Sequence, residues 1–237
     1  MNESYPFITI GGLTFNVANC LTTFISAAIV FLLFFFLSRK IQMRPGKAQN
    51  FLEWVVDFSD NIVKSMIPDS KVARPFNLYA FVMISFLLVA NVLGLVFEIV
   101  VGGKTYVKSP TSDPMVTMTL AMISLVLAHF FSVKKYGFKQ YLKNYAQPMA
   151  VLTPINILEE FTNFLTLALR LYGNIFAGEV LVMLIAKMAG SHGLWSALLS
   201  LPLEMIWQGF SVFIGAIQAY VFVTLSTVYI SRKIEKE

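Results

Sequence analysis

Charge is scarce in this chain. Asp, Glu, Lys and Arg make up 13% of its 237 residues, where soluble domains carry about 25%. So few charges cannot clothe a water-exposed surface. With 57% hydrophobic residues and a mean hydropathy of +0.71, the sequence reads as an integral membrane protein. The single cysteine, Cys20, excludes an internal disulfide and a cysteine-based metal site. Soluble-enzyme signatures are missing too. There is no Gly-x-x-x-x-Gly-Lys phosphate loop, no His-Glu-x-x-His and no Gly-x-Ser-x-Gly, so the sequence assigns no nucleotide, cofactor, metal or catalytic residue. Short alternating segments of the β-barrel kind are also lacking. The N-terminus has no basic residue before the first apolar run and carries Glu3, which argues against a cleavable signal peptide.

What the chain does have is long apolar runs. Runs of at least ~18–20 residues can cross a ~30 Å hydrocarbon core as helix, and five are expected: 19–37, 76–101, 115–133, 155–188 and 194–230. The predicted fold class is therefore all-α and polytopic. We divide one membrane domain, 1–237, into an N-terminal span (1–46), an amphipathic helix (47–67), a two-helix hairpin (76–134) and a long, steeply tilted hairpin (155–231). Over 47–67, Phe51, Val55, Phe58, Ile62 and Met66 share one helical face opposite Glu53, Asp57, Asp60 and Lys64. That pattern suits a helix lying on the membrane or against a partner. Pro68 and Pro75 are expected to bracket its end, Asn91 and Glu98 fall in the second span, and 102–114 reads as a loop. The tyrosines of 137–148 read as headgroup anchors, and His192, at a tight hairpin tip, and His129, near a span end, read as interfacial residues.

The net charge of +5 does not point to nucleic acid, because the basic residues cluster just after apolar spans. Arg39, Lys40, Arg44 and Lys47 follow the first, Lys134, Lys135, Lys139 and Lys143 the third, and Arg232, Lys233 and Lys236 the last. This positive-inside pattern leads us to expect an N-terminus outside and a C-terminus in the cytoplasm, as for a plasma-membrane protein.

Arg170 stands alone in an apolar stretch whose nearest charges are Glu160 and Glu179. A guanidinium at membrane depth costs at least ~2.5–3.5 kcal/mol on insertion scales, and it cannot escape by deprotonating. Something anionic should meet it during function. At 100° per residue, Glu159, Asn163, Thr166 and Asn174 fall within about 40° of Arg170, and Glu179 lies opposite. On the last helix Glu204, Gln208, Ser211, Gly215, Gln218, Ser226 and Tyr229 fall within about 40° of one line. The bland alternative is that these stripes only glue helices together, but glue has no need of a permanent charge. Ala168, Gly173, Ala177 and Gly178 would let another helix approach closely around Arg170. A guanidinium there would lower the pKa of a passing carboxylic acid by ~1–3 units and strip its proton.

The run Arg170-Leu171-Tyr172-Gly173-Asn174 through Ala177-Gly178-Glu179, with Gln218-Ala219-Tyr220-Val221-Phe222 and Tyr229, resembles the a subunit of F-type ATP synthase. So do Pro110-Thr111-Ser112-Asp113 and Asn91-Val92-Leu93-Gly94-Leu95. The resemblance implies a non-catalytic stator with two ion half-channels, set beside a ring of c subunits whose carboxylate faces Arg170. It also implies peripheral-stalk b subunits, the rest of the complex and the lipid bilayer as partners. Arg170 matches the family's essential arginine, and Asn174, Glu179 and Gln218 match positions that line or support the ion path. Asp113 matches an acid at the outer mouth, while Glu159 and Glu160 would receive the released proton on the inside. Some relatives carry a histidine where this chain has Ser211, so the resemblance assigns no direct relay between Glu179 and that position. The rival readings are a secondary transporter binding an anion at Arg170, which should show broken helices and a repeated half, and a non-conducting scaffold.

Overall fold

A computed structural model describes residues 7–10, 13–39, 41–96, 99–101, 104–145, 150–190 and 194–234. Seven α-helices carry the fold: α1 Val17–Ser38, α2 Lys47–Met66, α3 Ser70–Val96, α4 Pro114–Tyr136, α5 Phe138–Tyr145, α6 Thr153–Ala189 and α7 Leu194–Ile234. Five of these, all but α2 and α5, are long and apolar enough to cross a membrane. The expected all-α polytopic class therefore stands.

Local chemistry sets the helix ends. Asn16 caps α1 by accepting from the Ala18 amide at 3.1 Å. Asp113 caps α4 in the same way through the Met115 amide at 2.8 Å, with Pro114 in the first turn where no amide is needed. At the far end of α4, Gly137 adopts φ 79°, a left-handed conformation that glycine takes without strain.

Three expectations need correction. α3 starts at Ser70 and runs through Pro75, where a break was expected. Asp69 supplies the start, its carboxylate accepting from the Lys71 amide at 2.9 Å and its carbonyl from the Val72 and Ala73 amides. Pro75 therefore sits barely more than one turn inside, where it removes a single backbone bond. The second span also ends earlier, at Val96, and Ile99–Val101 (β3) pairs antiparallel with Lys104–Val107 (β4) in what was read as loop. The N-terminal lead likewise holds a hairpin, Phe7–Ile10 (β1) with Leu13–Asn16 (β2). Glu98 and His192 lie outside the described residues.

α6 and α7 run unbroken for 37 and 41 residues, α7 passing through Pro202. At 1.5 Å per residue they measure about 55 and 60 Å. They form an antiparallel pair, with Trp207 Nε1 donating to the Gly178 carbonyl at 3.2 Å. α3 and α4 pack against this pair around a core that includes Phe76, Leu87, Leu171, Phe222 and Ile230. α2 buries Ser59, Ile62 and Val63, leaving Phe51, Trp54 and Phe58 as an exposed stack of rings. The expected apolar face is thus divided between protein and surroundings.

One buried polar knot ties the connection between α3 and α4 to this core. Asn91, 1% exposed, donates from Nδ2 to the Gly215 carbonyl at 3.0 Å and accepts from Thr111 Oγ1 at 2.8 Å. Thr111 shares a 2.8 Å hydroxyl contact with Ser109. The backbone of Ser109 lies so close to Gly94 that a side chain at Gly94 would overlap it. Asn19 of α1 donates to Asp113, so the start of α4 is held from a second side.

Candidate functional site

The buried face of α6 presents Leu167, Ala168, Leu171, Ile175, Gly178 and Ile185 to the rest of the chain. Arg170 lies off that face and is exposed, as are Glu159, Thr166 and Ala177 along the same line. Asn163 and Asn174 are half-buried at its edge. Among the described residues Arg170 makes no ion pair or hydrogen bond. Its helix therefore carries a cation on a surface that the described residues do not cover. Tyr172 and Phe176 stack beside it at 5.4 Å, and Gly173 has open space where a side chain would point.

Toward the start of α6 lies a cavity of about 450 Å³ between α4, α6 and α7. Its walls include Glu159, Glu160, Asn163, Ser226 and Tyr229, so the structure brings together predicted residues from both polar stripes. Glu160 Oε1 forms an ion pair with Lys233 Nζ at 2.8 Å and lies 2.9 Å from His129 Nε2. His129 Nδ1 is 2.7 Å from the Tyr141 hydroxyl. Glu159 pairs with Arg232 at 3.7 Å, with both side chains mostly in the open. Small residues on α4 (Ala121, Ser124, Ala128 and Ser132) make the room, because at helical spacing they form one shallow stripe.

A second polar group lies toward the other end of α6. Glu179 pairs with Lys108 at 3.1 Å, and both are largely covered. Across the hairpin, Ser211 Oγ lies 3.7 Å from where a side chain on Gly178 would begin. Seven residues further along α7 is Gln218, and eight residues back along α6 is Arg170, so the antiparallel register sets these two at one level. Among the described residues Ser211 Oγ and Gln218 Nε2 are buried without a hydrogen-bond partner. Glu204 and Gln208 are half-buried on the same face of α7, nearer the hairpin tip. Asp113 is not part of this group; it caps α4 and holds Asn19.

Arg170 stands between the two groups. It lies 11 residues after Glu159 and nine before Glu179, or about 16 and 13 Å along the helix axis, near the middle of α6.

Sequence reasoning missed four participants. Lys108 stands in an irregular stretch with no periodicity to place it. His129 and Tyr141 read as interfacial residues, and Lys233 as one of a basic cluster. Their pairings join distant segments, which helix spacing does not report; only the small-residue stripe on α4 marked where a cavity could form.

Together these features define a polytopic helical membrane protein whose sixth helix carries an arginine near its middle, between two polar groups. The chain belongs to the ATP synthase A chain family, whose profile matches residues 20–231. It is 52% identical over 226 residues to ATP synthase subunit a of Limosilactobacillus fermentum, covering 95% of each chain. It is 51% identical over 239 residues to that of Enterococcus faecalis and 46% identical over 244 residues to that of Bacillus subtilis, covering each in full. Membership of that family places the chain in the membrane sector of an ATP synthase, and the five apolar helices and the relatives together describe a bacterial membrane protein.

Proposed function

We propose that this chain is the ion-conducting stator of its complex, using two half-channels and Arg170 to couple proton flow to rotation of a c-subunit ring. The observation that carries the reading is Arg170 itself, exposed, unpaired among the described residues and set between two polar groups. A permanent charge at this depth needs an anion, and the uncovered surface leaves room for one on another subunit. A ring carboxylate meets that need.

Protons enter from outside past Asp113, Glu179, Ser211, Gln218 and the polar face of α7 with Glu204 and Gln208, and protonate a ring carboxylate. The neutral acid then travels through lipid almost a full turn. Returning to the stator, it meets Arg170, whose positive charge favours the carboxylate form and drives the proton off. The proton leaves through the cavity bounded by Glu159, Glu160, Asn163 and Tyr229. Arg170 and Asn174 occupy the gap between the routes, and a cation there repels a proton crossing directly. Each charge moved through 100 mV supplies ~2.3 kcal/mol. The length of α6 and α7 suits a steep incline across the bilayer, presenting many residues to a curved ring. The exposed rings of α2 suit lipid or the peripheral-stalk b subunits. The basic residues after α1 and in the last turns of α4 and α7 support a cytoplasmic C-terminus and an outside N-terminus.

Side-specific labelling tests the two routes. In a Cys20→Ser background, N163C should react with an impermeant thiol reagent only from the cytoplasmic side and S211C only from the outside. Both reacting from one side would refute the two-channel reading.

A further inference from the structure

Glu160, His129 and Tyr141 come from three helices yet form a single line of polar contacts. Glu160 lies in the cavity wall, His129 touches it at 2.9 Å through Nε2, and Tyr141 reaches His129 Nδ1 at 2.7 Å from the interfacial helix α5. The two rings also meet edge to face, with centroids 5.8 Å apart. Both ring nitrogens are therefore engaged, one toward the cavity wall and the other toward the helix at its mouth. Charge balance does not require this histidine, because Lys233 already meets the same Glu160 oxygen at 2.8 Å. What imidazole adds is the ability to gain and lose a proton near neutral pH at two separate atoms.

We propose that His129, set between Glu160 and Tyr141, is a proton-exchange residue at the mouth of the inner cavity. This rests on reading that cavity as the inner half-channel. In the release direction, a proton that cavity water has placed on Glu160 moves to Nε2, restoring the carboxylate and forming imidazolium. The Nδ1 proton then leaves for water beside the Tyr141 hydroxyl, and exchange with cavity water, which removes a proton at Nε2 and returns one at Nδ1, restores the starting tautomer. One proton enters and one leaves, and only bonds to hydrogen change. The reverse sequence collects protons when the motor pumps. The charged and titratable groups around His129 are Glu159 and Glu160 on α6, Tyr229, Arg232 and Lys233 on α7, and Tyr141 on α5. Lys233 also lies 6.0 Å over the Tyr141 ring, which keeps that cation beside the line.

The test uses the whole ATP synthase in proteoliposomes, with ATP-driven proton uptake measured as pH rises on the side of uptake. H129Q keeps a polar side chain of similar reach but cannot become a cation. Cavity water would still carry part of the flux, so the loss should fall short of the roughly 100-fold of a general base removed from a reacting centre; we expect about three- to tenfold. The deficit should widen with rising pH and shrink when imidazole buffer is added on that side. Y141F, which retains the ring and loses the hydroxyl, should show the same pattern more weakly, and it decides the matter if H129Q does not assemble. Normal uptake with a wild-type pH profile in the assembled variants overturns the proposal. So does a uniform loss that imidazole does not relieve, which is the mark of a bracing role. If R170A also keeps coupled pumping, the stator reading fails; if R170A is inactive while H129Q and Y141F behave as wild type, only the relay fails.

Discussion

Asn91→Leu removes the side chain that joins α3, the α3–α4 connection and α7, with little change in volume. Two buried contacts vanish: Nδ2 to the Gly215 carbonyl at 3.0 Å and Thr111 Oγ1 to Oδ1 at 2.8 Å. Thr111 keeps Ser109 as a partner at 2.8 Å, and the Gly215 carbonyl still lies within a helix, so neither group is left bare. Interhelical hydrogen bonds in membranes average about 0.6 kcal/mol and reach about 1.7, so the two together are worth about 1–3 kcal/mol. Crowding adds to this, because Asn91 Cβ already lies 3.2 Å from where a side chain on Gly215 would start. A total near 2 kcal/mol lowers the folded-to-unfolded ratio by about 30-fold. The assay is the fraction of chain retained in detergent-solubilised complex after graded heating, for N91L, T111V and the double variant. Because Asn91 and Thr111 share one bond, the double variant should lose less than the sum of the singles. Wild-type retention of N91L, or full additivity, would refute the reasoning.

Three other outcomes follow from the same packing. Gly94→Ala places a carbon onto Ser109 backbone, so it should cost at least about 1–3 kcal/mol and reduce assembled complex, while Gly46→Ala, in open space, should not; equal yields would contradict the predicted overlap. A Cβ added at Gly173 meets nothing within 4 Å among the described residues, so with Gly173→Ala the subunit should fold normally while ATP-driven pumping falls, and normal pumping would show that no partner passes there. Lys108→Met or Glu179→Gln alone strands one member of a half-buried pair and should cost about 1–3 kcal/mol. The double variant should recover assembled complex but not pumping, and failure to recover assembly would show that the pair is not coupled.

The spans were legible because length and hydropathy alone decide them, and α2 because its apolar residues repeat at helical spacing. The start of α3 was hidden by reading Pro75 as a stop, when one lost backbone bond close to a capped end is tolerable. The stripes on α6 and α7 were legible as angles around a helix, which is why Glu159, Glu160, Asn163 and Tyr229 meet in one cavity. Angles do not say which distant side chain arrives opposite. Lys108 reaching Glu179, and Tyr141 turning toward His129 where a headgroup anchor was expected, depend on how connections fold back. Ser211 beside Gly178 follows from the register of α6 against α7, which residue spacing along either helix does not set.

The central claim is that Arg170 separates the two proton routes by its charge, and R170A in the reconstituted complex, assayed for proton pumping coupled to ATP hydrolysis, tests it most directly. The account predicts a complex that assembles in normal amount and pumps no protons. R170A that assembles and still pumps in step with ATP hydrolysis would contradict it.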